Sequence, residues 1–282
     1  MNVFSIDSVA HPVVEKISMA EIELPGAFFH RQDEQHYQPT EATIGPWSPQ
    51  LQHGGPPIAL LTRALRTYAA DEGLRLARLT VEFLGPVPLE ICTVTVEVVR
   101  AGRRIELLTG RLSAGGKLLL LAHAWRLKAE PALLDPIPHP FALPELPAAQ
   151  PQRTFTGVEY FPYYHALEWR FSEGALDKLG PATVWTRPRI PLVDDEEIDG
   201  LDALVLMLDS ANGVSAELNI HRWQFVPVDL TLGIYRHPVG QWFGMAARTT
   251  LADDGIGQSA TTVFDGNGPL GQSLHTLFVR PR

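Results

Sequence analysis

Residues 56–71, PPIALLTRALRTYAAD, place apolar side chains at Ile58, Leu61, Ala64, Leu65 and Tyr68. That three-and-four spacing predicts a helix with one buried face. The period then changes to two. LARLTVEFL, EICTVTVEVV, RIELLTGRLS and KLLLLAHAWRL read as four strands, parted by turns at Gly85-Pro86, Ala101-Gly102 and Gly115-Gly116. The second half repeats this order. GLDALVLMLDSAN reads as a helix closed by Gly213, a residue type that takes up the left-handed backbone of a helix end at little cost. PVDLTLGIYRH, QWFGMAARTTL, IGQSATTVF and PLGQSLHTLFV follow as strands, with turns at His237-Pro238, Asp253-Asp254-Gly255 and Gly266-Asn267-Gly268. From Pro86 to Pro238, from Gly102 to Asp254 and from Gly115 to Asn267 the separation is 152 residues each time. Three turns at one offset indicate an internal duplication. Another strand-like run precedes each helix: GAFFHRQDEQHYQPT in the first half, HALEWRFSEG and ATVWTRPRIPL in the second.

Between the halves, residues 129–157 read AEPALLDPIPHPFALPELPAAQPQRTFTG. Proline and alanine dominate and no period survives, which predicts an extended surface linker. The expected domains are therefore 20–128 and 158–282. Turns this short exclude crossovers, so the strands are antiparallel. The expected class is α+β: two tandem copies of a long central helix wrapped by an antiparallel sheet. Joining the two sheets into one removes an exposed edge from each.

Composition narrows the chemistry. A formal net charge of -9 over 282 residues argues against a nucleic-acid surface, which needs clustered cations. The local clusters Arg100/Arg103/Arg104 and Arg187/Arg189 read first as a solvated hairpin tip and a strand edge. The single cysteine, Cys92, excludes an intrachain disulfide and a Cys-rich metal site; within its alternating strand it reads as a small core residue. MNVFSIDSVAHPVVEK lacks the pattern of a secretory leader, and KLLLLAHAW is too short to span a bilayer. A cytoplasmic protein without membrane partners is expected. His123 and His275 also lie 152 residues apart, which predicts equivalent strand positions and is no metal signature. Trp169, Trp185, Trp223 and Trp242 read as core or as the wall of an apolar slot. Without a Gly-rich phosphate loop, no nucleotide cofactor is expected.

The stretch WSPQLQHGGPPIALLTRAL, followed by RLARLTVEFLGPVPLE, resembles the first half of thioesterase-like double hot-dog proteins related to the type II acyl-CoA thioesterases. LMLDSANG and VDLTLGIYRHP resemble their second half. The resemblance runs from about Phe28 to Arg280. It implies a double hot-dog fold, an acyl thioester of coenzyme A or of an acyl carrier as substrate, and hydrolysis to free acid and thiol without a metal. A further homo-oligomer of double hot-dog units is compatible with it. It also implies a catalytic set of a helix acid, a threonine or serine on the next strand and a glutamine on the last. Asp209 takes the first place. Thr231 takes the second, with Asp229 competing. Gln272 has the chemistry for the third, although matching the chain ends puts His275 there.

The residues themselves leave each role open. Asp209 sits near a helix end, where a carboxylate opposes the helix dipole; burial would raise its pKa and make it a better base, while a solvent-facing helix stop is the plainer reading. Asp229 and Thr231 share one strand face, inward or wet. Gln272 reads equally as a solvent-facing residue. His53, Gly54 and Gly55 precede a helix whose free N–H groups could polarise a carbonyl, or they form a tight turn that His53 holds. Pro56 and Pro57 remove two donors. Two functions compete: a thioesterase whose Asp209 activates water, and a non-catalytic acyl-thioester or acyl-chain binding protein. A hot-dog dehydratase or hydratase needs a His–acid pair that no local pattern supplies.

Overall fold

The computed structural model describes residues 23–69, 73–135, 137, 140–155, 158 and 161–282. The leader reading of MNVFSIDSVAHPVVEK lies outside the described residues. So do residues 20–22 of the first expected domain, 70–71 of the first expected helix and residues 136, 138–139 and 156–157 of the linker.

The first half holds β1 (Phe29–Arg31), β2 (His36–Pro39), α1 (Gly55–Thr67), β3 (Leu74–Phe83), β4 (Cys92–Arg100), β5 (Ile105–Ala114) and β6 (Lys117–Lys128). The second holds α2 (Pro162–His165), β7 (Leu167–Glu173), β8 (Ala182–Pro188), α3 (Gly200–Leu208), α4 (Ala211–Val214), β9 (Trp223–Pro227), β10 (Asp229–Ile234), β11 (Phe243–Leu251), β12 (Ile256–Asp265) and β13 (Gly268–Pro281). Every strand read from the period-two runs is present, with three departures. GAFFHRQDEQHYQPT is a hairpin and not one strand, because the Asp33 carboxylate accepts the N–H groups of Gln35 and His36 and turns the chain. The strand β9 was not foreseen. The second helix breaks in two: the Tyr163 hydroxyl donates to the Leu206 carbonyl, and Ser210 N–H bonds Met207 O instead. Gly213 therefore lies inside α4 and does not close the helix.

The thirteen strands of the described residues form one sheet in the order β1-β2-β4-β5-β6-β3-β10-β13-β12-β11-β8-β7, with β9 beside β13. The order is a palindrome of the two halves, and the antiparallel β3–β10 pair, Thr80 opposite Thr231, joins them. Strands β9 and β10 form one course interrupted at Val228, where the Asp229 carboxylate accepts Thr276 N–H in place of a backbone carbonyl. The described part of the linker contains no helix or strand. It covers the free edge of β7: Gln150 and Gln152 bond the backbone N–H and C=O of Phe171 and Trp169 through their amides. Such an edge is a template for unwanted pairing unless covered.

α1 and α3 cross antiparallel inside the sheet. Gly55 abuts the Leu206 carbonyl at one end, and Arg66 bonds Asp202 at the other. Leu60, Leu61 and Leu65 of α1 and Leu204, Val205 and Met207 of α3 are fully buried, each burial contributing about 1.5–3 kcal/mol. The duplication shifts along the sheet. Ala114 faces Lys117 at the β5–β6 tip and Asp265 faces Gly268 at the β12–β13 tip, an offset of 151 (265 minus 114). One residue of register turns a side chain to the other face. Hence Ala124, and not His123, is the counterpart of His275; His123 is half-buried while His275 is fully buried.

Candidate active site

The run before α1 is pinned at His53, whose N–H donates to Thr43 O at 2.7 Å. The two glycines then let the helix start against the end of α3. A Cβ on Gly55 would lie 2.2 Å from the Leu206 carbonyl oxygen, and one on Gly54 would lie 2.7 Å from Asp209 Oδ2. No side chain fits either place. Gly54 abuts the Asp209 carboxylate, and the Gly55 N–H donates to His53 Nδ1, so this helix start is turned toward protein groups. Pro56 and Pro57 occupy the first turn, where a missing N–H costs nothing.

Asp209 follows the last residue of α3 and is 7% exposed. Burial pushes its carboxyl up to about 7, against the pull of the Gly54 and Gly55 N–H groups. Its Oδ2 lies 3.2 Å from His53 Nδ1. Its Oδ1 is buried and has no hydrogen-bond partner among the described residues. Burial pushes His53 down to about 3, so the ring is neutral. Gly55 N–H donates to Nδ1 at 3.1 Å, which leaves the ring proton on Nε2. The ring stacks on Tyr163, centroids 3.9 Å apart and planes at 5°. The Tyr163 hydroxyl in turn holds Leu206 O at 2.8 Å and Ser210 Oγ at 3.0 Å. The imidazole is therefore fixed in position.

His53 and Asp209 open on a cavity of about 60 Å³ with Asn212, Trp47, Trp169 and Phe225 among its walls. That volume holds a few water molecules. Asn212 Nδ2 is anchored on Phe225 O at 3.1 Å. Sequence reasoning missed Tyr163, Ser210 and Asn212. Asn212 had a signal, lying one helical turn beyond Asp209; Tyr163 had none.

The structure brings His53, Gly54, Gly55 and Asp209 together. It does not bring Thr231 or Gln272 to them. On β10 the buried residues are Leu230, Leu232 and Ile234, so Thr231 takes the other face, between Thr80 and Leu274. On β13 Gln272 is exposed, while Ser273, His275 and Leu277 face inward. The cause is strand alternation: both residues fall one position from an inward one. Of the competing residues, Asp229 serves the strand interruption and His275 points into the fold. Cys92 is buried in the first half, its thiol pushed up to about 11 by burial, as a core residue should be. Trp185 is core, Trp169 is core and cavity wall, and Trp242 is clamped by Arg170 and Arg187 at 4.3 and 4.9 Å. Arg187 is also paired with Glu168. Among the described residues no helix is long and apolar enough to cross a membrane.

Residues 43–127 match the family model for the acyl-CoA thioesterase N-terminal domain, and residues 140–279 match that for the C-terminal domain. The chain belongs to the acyl-CoA thioesterase family. As a member it is a thioester hydrolase. Solved structures agree on the fold. A conserved protein of unknown function with a hot dog fold, from Alicyclobacillus acidocaldarius, superposes with a TM-score of 0.68 at 17% identity, over 89% of this chain and 95% of that one. The acyl-CoA thioesterase II TesB2 of Mycobacterium marinum gives 0.61 at 18% identity over 90% and 95%. A tesB protein of Mycobacterium avium subspecies paratuberculosis gives 0.60 at 15% identity over 90% and 96%. No curated protein sequence matches the chain.

Proposed function

We propose that this thioesterase hydrolyses acyl-CoA, or the same thioester on an acyl carrier, with Asp209 as general base on water. The fold is read as two tandem hot dogs, 20–128 and 158–282, joined by the linker and by the β3–β10 pairing. A cytoplasmic place fits this substrate class. One observation carries the mechanism: a buried carboxylate pushed up to about 7, with one oxygen lacking a protein partner, at the edge of a small cavity. A base with a pKa near the working pH combines availability with proton affinity.

In this reading water sits in the cavity beside the Asp209 carboxylate and its oxygen attacks the thioester carbonyl carbon. The water proton passes to Asp209. The carbonyl oxygen becomes an oxyanion, and the Nε2–H of the neutral His53 donates to it. The fixed, stacked ring provides a donor that need not reorganise as charge develops. Collapse of the tetrahedral intermediate breaks the carbon–sulfur bond, and the proton on Asp209 goes to the departing thiolate. Protein groups alone perform every step. The glycines act indirectly: they let α1 start against the end of α3 and leave no room for a side chain beside Asp209. This differs from the family-derived set at two of three places, because Thr231 and Gln272 take no part.

The test is release of free thiol from acyl-CoAs of short, long and aromatic acyl groups, wild type beside Asp209→Asn. Loss of turnover with acyl-CoA binding retained by calorimetry supports the assignment. Turnover surviving in Asp209→Asn removes Asp209 as the base. Binding without turnover in the wild type would favour the acyl-thioester binding protein.

A further inference from the structure

The inner face of the second half carries a band of polar side chains that the proposed mechanism does not use. Thr249, Ser259 and His275 sit side by side across β11, β12 and β13, and Thr261 and Ser273 form the next row along β12 and β13. All five are at least nine-tenths buried, and Ser259 and His275 have no exposed surface. Thr249 bonds Ser215 Oγ at 2.8 Å. The Oγ atoms of Ser259 and Ser273, Oγ1 of Thr261 and both ring nitrogens of His275 have no hydrogen-bond partner among the described residues. Two rows of one inner sheet face thus present five unpaired polar atoms. An unmade hydrogen bond at such depth is costly, and in a core built to take only hydrocarbon these positions would be alanine or valine. The matching position in the first half is indeed Ala124.

The band lies beyond the cavity wall, and none of its five side chains lines the cavity. Phe225 and Pro227 of its wall pair with Val279 and Leu277 of β13. His275 is the next inward residue after Leu277, about 7 Å further along the strand. The single turn of α4, whose Asn212, Gly213 and Val214 also line the cavity, packs over β11 and β12 beside it.

Resting on the thioesterase reading, we propose that this band is a specificity site, with His275 at its centre, for an acyl group that carries a hydroxyl or keto substituent. Such a substituent satisfies donors and acceptors that a plain hydrocarbon chain would leave unpaired. Sites built to hydrogen-bond a substrate group discriminate strongly against analogues that lack it.

The experiment compares kcat/KM for matched pairs of acyl-CoAs, saturated against hydroxy- or keto-substituted at successive carbons, in wild type, His275→Leu and Ser259→Ala/Ser273→Ala. At least one substituted member should exceed its saturated partner about tenfold in the wild type. His275→Leu should bring that ratio within about threefold, chiefly by improving the saturated substrate. Ser259→Ala/Ser273→Ala, a smaller change in volume, should shift it the same way. Wild-type ratios within threefold for every pair, or a preference that both variants preserve, would overturn the proposal. Hydrolysis without preference leaves Asp209 standing. If no substrate is turned over, the mechanism fails separately, and the same ratios are read from binding of the pairs by calorimetry.

Discussion

Replacing Asp209 by Asn removes the proposed base and, above neutral pH, should stabilise the fold. Burial holds the carboxyl at about 7 in the folded chain; in an unfolded chain it ionises near 4. Below pH 4 the group is protonated in both states and contributes nothing. Between pH 4 and 7 the unfolded chain gives up the proton while the folded chain keeps it, so stability falls as pH rises. Above pH 7 the whole penalty, about 4 kcal/mol, is present. An Asn oxygen keeps the place of the carboxylate oxygen beside Gly54, and its NH₂ takes the place of an oxygen that has no protein partner. The neutral amide escapes the penalty. Asp209→Asn should therefore exceed wild type at pH 8 by about 2–4 kcal/mol, a rise in Tm of roughly 4–12 °C. At pH 5 the advantage should be about 3 kcal/mol smaller. Thermal unfolding of both proteins at the two pH values, beside thiol release, reads this directly. A variant equal to or weaker than wild type at pH 8, with the same pH slope, would refute the buried, uncompensated carboxylate. Wild-type kcat/KM should rise with pH and level off above about 7, as the base form fills.

Four further substitutions separate the roles. His53→Phe keeps a ring for Tyr163 to stack on and deletes the Nε2–H; kcat should fall about a hundredfold with KM little changed, and a loss under threefold would remove His53 from oxyanion stabilisation. Gly55→Ala puts a methyl 2.2 Å from Leu206 O, so urea unfolding should show a loss of about 1–3 kcal/mol; an unchanged midpoint would mean that the helix ends are not in register as described. Thr231→Ala and Gln272→Ala, on the outer face, should leave thiol release within about twofold, and a large loss in either would restore the family-derived set.

The strands were legible because period two is a property of each strand alone. Nearly every run reappears in the sheet, down to the turn glycines 115 and 116. What was not legible depended on partners remote in sequence. The break after Leu208 needs the Tyr163 hydroxyl, 43 residues upstream of Leu206, to take a helix carbonyl. The interruption at Val228 needs Asp229 to stand in for backbone. The faces of Thr231 and Gln272 turned on one residue of register, which neither the 152-residue offset nor a match of chain ends fixes. Asp209 could be named through the family resemblance; its place at the end of an apolar helix, taken alone, reads more plainly as a solvent-facing helix stop. The role of the two glycines could not be read, because what they abut lies on the other helix.

The helix pair shows why burial alone does not mark the site. Asp202 and Asp209 stand seven residues apart, two helical turns, on the same side of α3. They are 1% and 7% exposed. Burial pushes both up, to about 6 and about 7. What differs is the part of α1 that each meets. At its C-terminal end α1 presents Arg66, whose Nη2 bonds Asp202 at 2.6 Å, and Arg63, which bonds Glu196. That carboxylate is neutralised by a fixed cation and is closed to chemistry. At its N-terminal end α1 presents two bare glycines and a neutral histidine. The Gly54 and Gly55 N–H groups draw the Asp209 pKa down without offsetting its burial, and its Oδ1 has no protein partner among the described residues. The antiparallel crossing gives each end of α3 a buried acid; α1 makes one of them a structural ion pair and leaves the other able to take a proton. Losing the Arg66 partner should therefore weaken the fold, whereas losing the charge of Asp209 should strengthen it and stop turnover.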